Sequence, residues 1–408
     1  MHEYSTMSDE VICALGAAVG EDNVLLAEPM SAHTTFKIGG SADAVVLPRT
    51  PEAAARALDV CAITDVPVTV VGNGSDLLVG DRGIRGVVVL LRENLSDVRI
   101  EGTRVHAQAG ALLRDVALAA ADAGLSGMEP LWGIPAAVGG ACHQNAGAYD
   151  ACIADVLETL TAYVPGAVLP DGSRGKGSVR TFGRDELAFG YRESRVATDG
   201  LVVLEAVFAL VPDMEASIRA RMDDYQRRRE EKQPLELPSA GSTFKRPAGY
   251  FAGKLIMDAG LRGCRVGGAQ VSEKHCGFVV NTGGATAADV NALIEHVQKV
   301  CVAEHRLPRR RDETASASSR PSGASRRRFS RAKRPKWCSN SDMRDCGARS
   351  AGLVVARTGK PQDCLAPIGS FGAFRPRLTP RAAIESRISE FCHHMRRLRC
   401  RKRPAVRR

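Results

Sequence analysis

The chain has 408 residues, a formal net charge of +10, 12 cysteines and 44% hydrophobic residues, a length that leaves room for two or three domains, each with its own core. Residues 309–408 hold 27 Lys/Arg against 7 Asp/Glu, so the first 308 residues are net acidic and the basic balance belongs to the tail. The cysteines lack paired metal spacing, the N-terminus lacks a charged leader before an apolar core, and no apolar run nears the ~20 residues of a membrane helix; a reduced, soluble, cytoplasmic protein without a metal centre is expected.

In chain order, residues 8–20 read as a short helix capped by Ser8 and stopped by Gly20. A strand at 44–47, an alanine-rich helix from Pro51 to about Ile63 and a strand at 66–71 make a βαβ unit. That last run breaks into Gly72-Asn73-Gly74-Ser75-Asp76, a turn whose successive peptide N–H groups can surround an anion, with phosphate the expected guest. It lacks the third glycine of the dinucleotide-binding fingerprint, and no periodic helix follows. A strand at 86–91 comes next, then alternating segments 98–101 and 104–108 that read as an antiparallel pair around Gly102, then a helix from Leu112 to Ala123.

Residues 131–149 are small and sparsely polar, and Gly133, Gly139, Gly140 and Gly147 suit a backbone that lies against something flat. Strands follow at 154–163 and 201–210, with a turn at Pro170-Asp171-Gly172 between them. Glu215 to Lys232 is a charged helix ended by Pro234, and most of its charges read as a solvated face. Residues 251–301 read as a compact unit: helix Lys254–Ala259, strands 265–266 and 278–281, and a final helix from Ala287 to about Cys301. The order is mixed α+β.

Five segments carry a resemblance: Thr35-Phe36-Lys37-Ile38-Gly39-Gly40, the 72–76 turn, the 131–149 stretch, Gly190-Tyr191-Arg192-Glu193-Ser194, and Gly241-Ser242-Thr243-Phe244-Lys245-Arg246-Pro247. From about residue 31 to about residue 301 the chain resembles the UDP-N-acetylenolpyruvoylglucosamine reductase (UDP-N-acetylmuramate dehydrogenase) family in its shorter form. The resemblance implies an α+β fold with a two-lobed FAD-binding domain of the vanillyl-alcohol-oxidase type and a smaller substrate domain. The expected division is an N-terminal helix and leader at 1–30, flavin lobes at 31–108 and 109–212, a substrate domain at 213–301 and a disordered basic tail at 302–408.

It further implies noncovalent FAD, NADPH as hydride donor, and reduction of UDP-N-acetylglucosamine enolpyruvate to UDP-N-acetylmuramate for peptidoglycan, by a monomer. Flavin-binding positions carried over are Val71, Gly72, Asn73, Gly74, Ser75, Asp76, Gly133, Ile134, Pro135, Gly139, Gly140, Asn145 and Gly147. Arg192 is the expected catalytic cation for the substrate carboxylate, its planar fork matching two oxygens, and Ser242 the expected proton donor. Tyr191, Arg229 and Lys254 are expected to bind substrate, with Arg229 on its diphosphate.

Several positions depart from the family. Its closing Leu-x-x-Glu-Val-Arg strand, whose glutamate helps Arg192, has no counterpart; Asp312 and Glu313 fall near the expected spacing, but in Arg/Ser-rich sequence without a strand pattern. The tail's junction with the body suggests an altered reading frame, and its basic clusters at 326–336 and 396–408 would attract phosphate nonspecifically rather than bind a specific nucleic acid. Cys392-His393-His394 with Cys400 fits no zinc pattern. These departures motivate an alternative, a catalytically impaired flavin-binding or nucleic-acid-binding remnant; a third reading is an oxidase on the same flavin fold. Ala136 and Ala137 stand where the family has Gly-Ser, and Asp150 where it has glycine. Cys142 and His143 are the nearest side chains for a covalent flavin link.

Overall fold

The computed structural model describes residues 7–92, 94–170, 174–247 and 249–304, and the backbone of 354–356. Helix α1 (Asp9–Val19) ends at Gly20 with φ 98° and turns Val11, Ala14, Leu15 and Ala18 inward, the spacing of one helical face. It packs on α2 (Pro51–Ile63), whose N-cap Thr50 accepts from Ala53 N at 3.2 Å and whose Pro51 stands where no helical N–H is needed.

These helices cover a sheet of β1 (Val24–Leu26), β2 (Ala42–Val46), β3 (Val68–Val71) and, beyond the short β4 (Leu77–Val79), β5 (Ile84–Leu90). The order is β1-β2-β5-β3, with β5 parallel to both β2 and β3. Val87, Val88, Val89 and Leu90 are all buried, as befits a strand covered on both faces.

The second lobe holds β6 (Val98–Glu101), β7 (Arg104–Gln108), α3 (Leu113–Asp122), β8 (Leu125–Ser126), α4 (Val138–Gln144), β9 (Gly147–Ala148), β10 (Ala151–Cys152), α5 (Ile153–Val156), β11 (Leu157–Val164), β12 (Ser178–Gly183), α6 (Arg195–Thr198), β13 (Val202–Ala209) and β14 (Val211–Pro212). Its main sheet is antiparallel, ordered β12-β11-β13-β7-β6. Strands β6 and β7 fall inside the 31–108 stretch expected for the first lobe, yet β7 hydrogen-bonds to β13, so the border runs between β5 and β6. Residues 154–156, expected to begin a strand, belong instead to the helical turn Ile153–Val156, stabilised by Cys152 N donating to Asp155 Oδ2 at 2.7 Å. Strand β12 was not legible because Ser178–Thr181 are all exposed and show no alternation.

Helix α7 (Glu215–Lys232) has the expected bounds but lies on the second lobe, packed against α3 and β8. Trp132 Nε1 donates to Met222 O at 3.0 Å, and Arg221 pairs with buried Glu129. The smaller domain comprises β15 (Ser239–Ser242), α8 (Ala252–Asp258), β16 (Arg265–Val266), β17 (Ala269–Val271), β18 (Phe278–Asn281) and α9 (Ala287–Glu304), with sheet order β15-β18-β17-β16. Its core takes in Phe36, Ile38 and Leu78 from the first lobe. Thr35 Oγ1 donates to Ser239 O at 2.7 Å, Asn281 Nδ2 donates to Phe36 O at 3.1 Å, and Asp81 accepts from Ala287 N and Ala288 N at the start of α9. The Thr35–Gly40 segment is therefore a clasp between domains.

Helix α9 runs three residues past the expected boundary at 301, with Cys301 on its buried face. Within the tail, the backbone of β19 (Val354–Ala356) pairs in parallel with β4, Val354 opposite Leu77, and its two valines are β-forming residues. Asp171, Gly172, Asp312, Glu313, the two basic clusters and the Cys392–Cys400 tract lie outside the described residues. Among the described residues no helix is long and apolar enough to cross a membrane.

Candidate active site

The Gly72–Asp76 turn leaves β3 and enters β4. The peptide N–H groups of Asn73, Gly74 and Ser75 meet no protein acceptor among the described residues, which leaves a cluster of donors at one spot. Gly74 has φ 59°, and a Cβ there would strike His33 O, so the turn needs glycine both for its backbone and for space. Asn73 Nδ2 donates to Pro135 O at 2.6 Å, and a Cβ on Gly72 would lie 2.9 Å from Ala137 Cβ. The first lobe's turn thus faces the second lobe's small-residue stretch, where Gly140 opens onto free space. Donors at one end and small side chains at the other fit a flat cofactor with a phosphate arm, such as FAD.

Not every expected flavin position is open. The Val71 side chain is buried in the first lobe's core, and Ile134 packs against the second lobe's. Gly139 is pressed on Ala109 and donates its N–H to Ala109 O at 2.8 Å; Gly147 lies against Ala151 and Cys152. Asn145 spends both ends of its amide on protein, donating to Gly190 O at 3.0 Å and accepting from Ala154 N at 3.1 Å. These residues shape the backbone rather than offer side chains to a ligand.

Arg192 rides on a tight turn closed by Gly190 N to Glu193 O at 2.9 Å, and its own φ is 58°, in the left-handed region. Ser194 Oγ fastens that turn to α4 by donating to His143 O at 2.7 Å. Tyr191 is exposed, its ring centroid 5.9 Å from the Arg192 guanidinium carbon. Among the described residues Arg192 makes no ion pair, with Glu193 or any other acid. Burial pushes the Asp76 carboxyl above its usual range, opposed by the Arg192 charge and by hydrogen bonds that include one from Gln144 Nε2 at 3.0 Å.

Three consecutive arginines on α7 divide between water and the cleft. Arg227 pairs with Asp224 and Glu231, and Arg228 with Asp224, all on the exposed side. Arg229 is 9% exposed, leans on Gly133, and its side chain finds no hydrogen-bond or ion-pair partner among the described residues. Burial lowers its hold on its proton, with Tyr149 opposing. Tyr149 and Tyr225 stand beside it with ring centroids 4.7 Å apart.

Ser242 is exposed at the end of β15, opposite Phe278 of β18, so it belongs to a strand rather than to the turn its composition suggests. Lys254 pairs with Asp258 at 3.1 Å along the exposed side of α8. Gln144, Tyr149 and Tyr225 were not singled out in the sequence, although Gln144 stands with His143 and Asn145 as the polar end of a stretch otherwise mostly small and apolar.

Residues 42–173 match the family model described as FAD binding domain, and residues 233–306 match UDP-N-acetylenolpyruvoylglucosamine reductase, C-terminal domain. The UDP-N-acetylenolpyruvoylglucosamine reductase of Clostridium perfringens is 47% identical over 285 residues, covering 70% of this chain and 90% of that protein. The chain belongs to the UDP-N-acetylenolpyruvoylglucosamine reductase family. The family's Agathobacter rectalis protein is 50% identical over 284 residues, covering 67% of this chain and 87% of that protein. The crystal structure of the Thermus caldophilus reductase aligns with a TM-score of 0.57 at 36% identity, covering 68% of this chain and 94% of that one. The fold is accordingly an FAD-binding domain of the oxidase type plus a smaller C-terminal reductase domain, and the protein is an FAD-dependent oxidoreductase. These relatives lend no support to the alternative of an impaired remnant.

Proposed function

We propose that this reductase uses NADPH to convert UDP-N-acetylglucosamine enolpyruvate to UDP-N-acetylmuramate in peptidoglycan synthesis. The observation that carries the reading is Arg192, a cation without an ion-pair partner among the described residues, held on the end of the flavin-facing helix α4. A flavin held between the 72–76 turn and the 133–140 stretch would supply the hydride chemistry that links NADPH to the enolpyruvyl ether.

The chain's own residues do the rest. Peptide N–H groups of the 72–76 turn receive the pyrophosphate, and the Gly133–Gly140 stretch lets the ring system approach backbone. The Arg192 guanidinium holds the substrate carboxylate and stabilises the negative charge that grows there as hydride arrives. Ser242 Oγ gives its proton to the adjacent carbon, and because Ser242 is exposed in the ligand-free chain, water can return the proton afterwards. Arg229, buried without an acid of its own, is suited to a diphosphate oxygen pair. Lys254 is a peripheral contact in this reading, since Asp258 already shares its charge.

Stopped-flow spectroscopy of Ser242→Ala tests the assignment. NADPH should bleach the flavin at the wild-type rate, while oxidation of the reduced flavin by the sugar nucleotide slows by a factor of about 10² or more. Equal loss in both half-reactions would make Ser242 structural, and failure of the unaltered holoprotein to oxidise NADPH with this sugar would end the reductase reading.

A further inference from the structure

Helix α7 turns one face to the flavin stretch. Tyr225 and Arg229 stand one turn apart on it: the Tyr225 ring lies 4.7 Å from that of Tyr149, and the Arg229 stem rests on Gly133. Gln233 is one turn beyond Arg229, its backbone N–H donating to Arg229 O at 2.8 Å. Pro234 follows and drives the residue before it out of the helical region, so Gln233 ends α7 in an extended conformation with φ −118° and ψ 146°. Its side-chain Oε1 is buried and meets no donor among the described residues. A buried acceptor left without a donor is destabilising, and one that stands a turn away from a buried guanidinium also lacking a partner points to a ligand that serves both.

The chain then runs directly to the expected proton donor. Leu235 N donates to Gln233 O at 3.0 Å and Leu237 N to Pro234 O at 3.4 Å, and this short turned segment leads into β15, which ends at Ser242. Gln233 thus falls between the arginine assigned to the diphosphate and the serine assigned to the enolpyruvyl group. In the sugar nucleotide the diphosphate is on the first carbon of the hexose and the enolpyruvyl ether on the third. The carbon between them bears the acetamido group, whose N–H is a donor.

We propose that Gln233 is a specificity-determining residue, its Oε1 accepting the acetamido N–H of the sugar nucleotide. The proposal rests on the reductase reading and assigns a recognition contact within it. A neutral amide suits this place, because a carboxylate would repel the diphosphate one turn away. A buried acceptor also discriminates sharply, since an analogue without the N–H leaves it unpaired.

The test combines Gln233→Met, which keeps the length of the side chain and removes the acceptor, with an enolpyruvyl sugar nucleotide whose acetamide is replaced by an acetate ester. The ester keeps the shape and the acetyl carbonyl and lacks only the N–H. On the acetamido substrate Gln233→Met should raise KM about tenfold with kcat within about threefold; on the ester it should change KM less than about twofold. Equal losses on the two substrates overturn the proposal. Melting of the ligand-free holoprotein separates recognition from folding. An apolar side chain relieves the unpaired acceptor, so Gln233→Met should melt at or above the temperature of the unaltered chain, and a lower one would assign Oε1 to the fold. If the unaltered holoprotein turns over neither substrate, the reductase reading fails and binding to the oxidised flavoprotein still decides the contact. UDP-N-acetylglucosamine should then bind more tightly than UDP-2-deoxyglucose, and Gln233→Met should cut that preference about tenfold. No preference, or one that the substitution leaves unchanged, overturns the contact.

Discussion

A methyl group placed on Gly133 would come within 2.6 Å of Arg229 Cδ. The Arg229 stem therefore lies directly on the backbone of the flavin stretch, and the guanidinium's position depends on that glycine having no side chain. Gly133→Ala should push Arg229 out of place and raise KM for the sugar nucleotide by about tenfold, equivalent to roughly 1.4 kcal/mol of binding. The change in kcat should stay within about threefold, since Arg229 is far from the reacting carbon in this reading. Steady-state kinetics decide; an unchanged KM would remove Arg229 from the substrate site.

Arg192 holds a left-handed φ of 58°, a conformation that costs a non-glycine residue about 1–3 kcal/mol. Arg192→Gly should therefore raise stability by about 1 kcal/mol while lowering turnover by a factor of about 10² or more. Thermal melts and turnover on one preparation would reveal this opposition. A destabilised Arg192→Gly variant would mean the arginine is kept for the fold.

Tyr149 and Asp150 form the two-residue loop between β9 and β10, with φ 52° and 65°. Positive φ at both positions is the signature of a type I′ hairpin turn, which favours glycine second. The resemblance implied a glycine there, and this chain bears Asp150. Asp150→Gly should stabilise the protein by about 0.5–1 kcal/mol without altering flavin affinity. A melting temperature equal to or below that of the unaltered chain would contradict this. Ala137, by contrast, has φ −77°, so its departure from glycine-serine carries no backbone strain.

Burial tends to raise the Glu129 carboxyl, but its own backbone N–H, Gly127 N at 2.6 Å, Arg221 and Ser126 outweigh burial and hold it below the usual range. A carboxyl depressed in the folded state stabilises above its unfolded pKa, and this stability is lost as pH falls through the folded value. Glu129→Gln should cost about 2–3 kcal/mol near neutral pH, because Arg221 and three neutral donors lose a charged acceptor. Urea titrations at decreasing pH should show the gap between the two proteins closing below the ordinary glutamate range; a pH-independent gap would refute the assignment.

Cys142 is fully buried and its thiol is pushed up to about 12, while burial holds His143 below its ordinary range. A thiol so unwilling to ionise is a poor nucleophile toward flavin. Acid precipitation of the yellow holoprotein should release the flavin to the supernatant. Colour retained in the pellet would point to a covalent link.

Local patterns sufficed for much of this chain. Ser8 and Gly20 marked the ends of α1, although the Ser8 side chain makes no cap hydrogen bond, Pro51 and an alanine-rich run marked α2, a charge run ended by Pro234 marked α7, and glycine spacing marked the 72–76 turn and the 131–149 stretch, because helix ends and sharp turns depend on residues close in sequence. What only the tertiary structure decided depends on residues far apart. Strands β6 and β7 joined the second sheet because β13, about a hundred residues later, pairs with β7. One arginine of three on α7 turned inward because Gly133 left room for it, and no local pattern distinguishes Arg229 from Arg227. The meeting of Asp76 with Gln144 was likewise invisible, since the two come from different segments and only the docking of two lobes brings the buried carboxyl to the amide that donates to it at 3.0 Å.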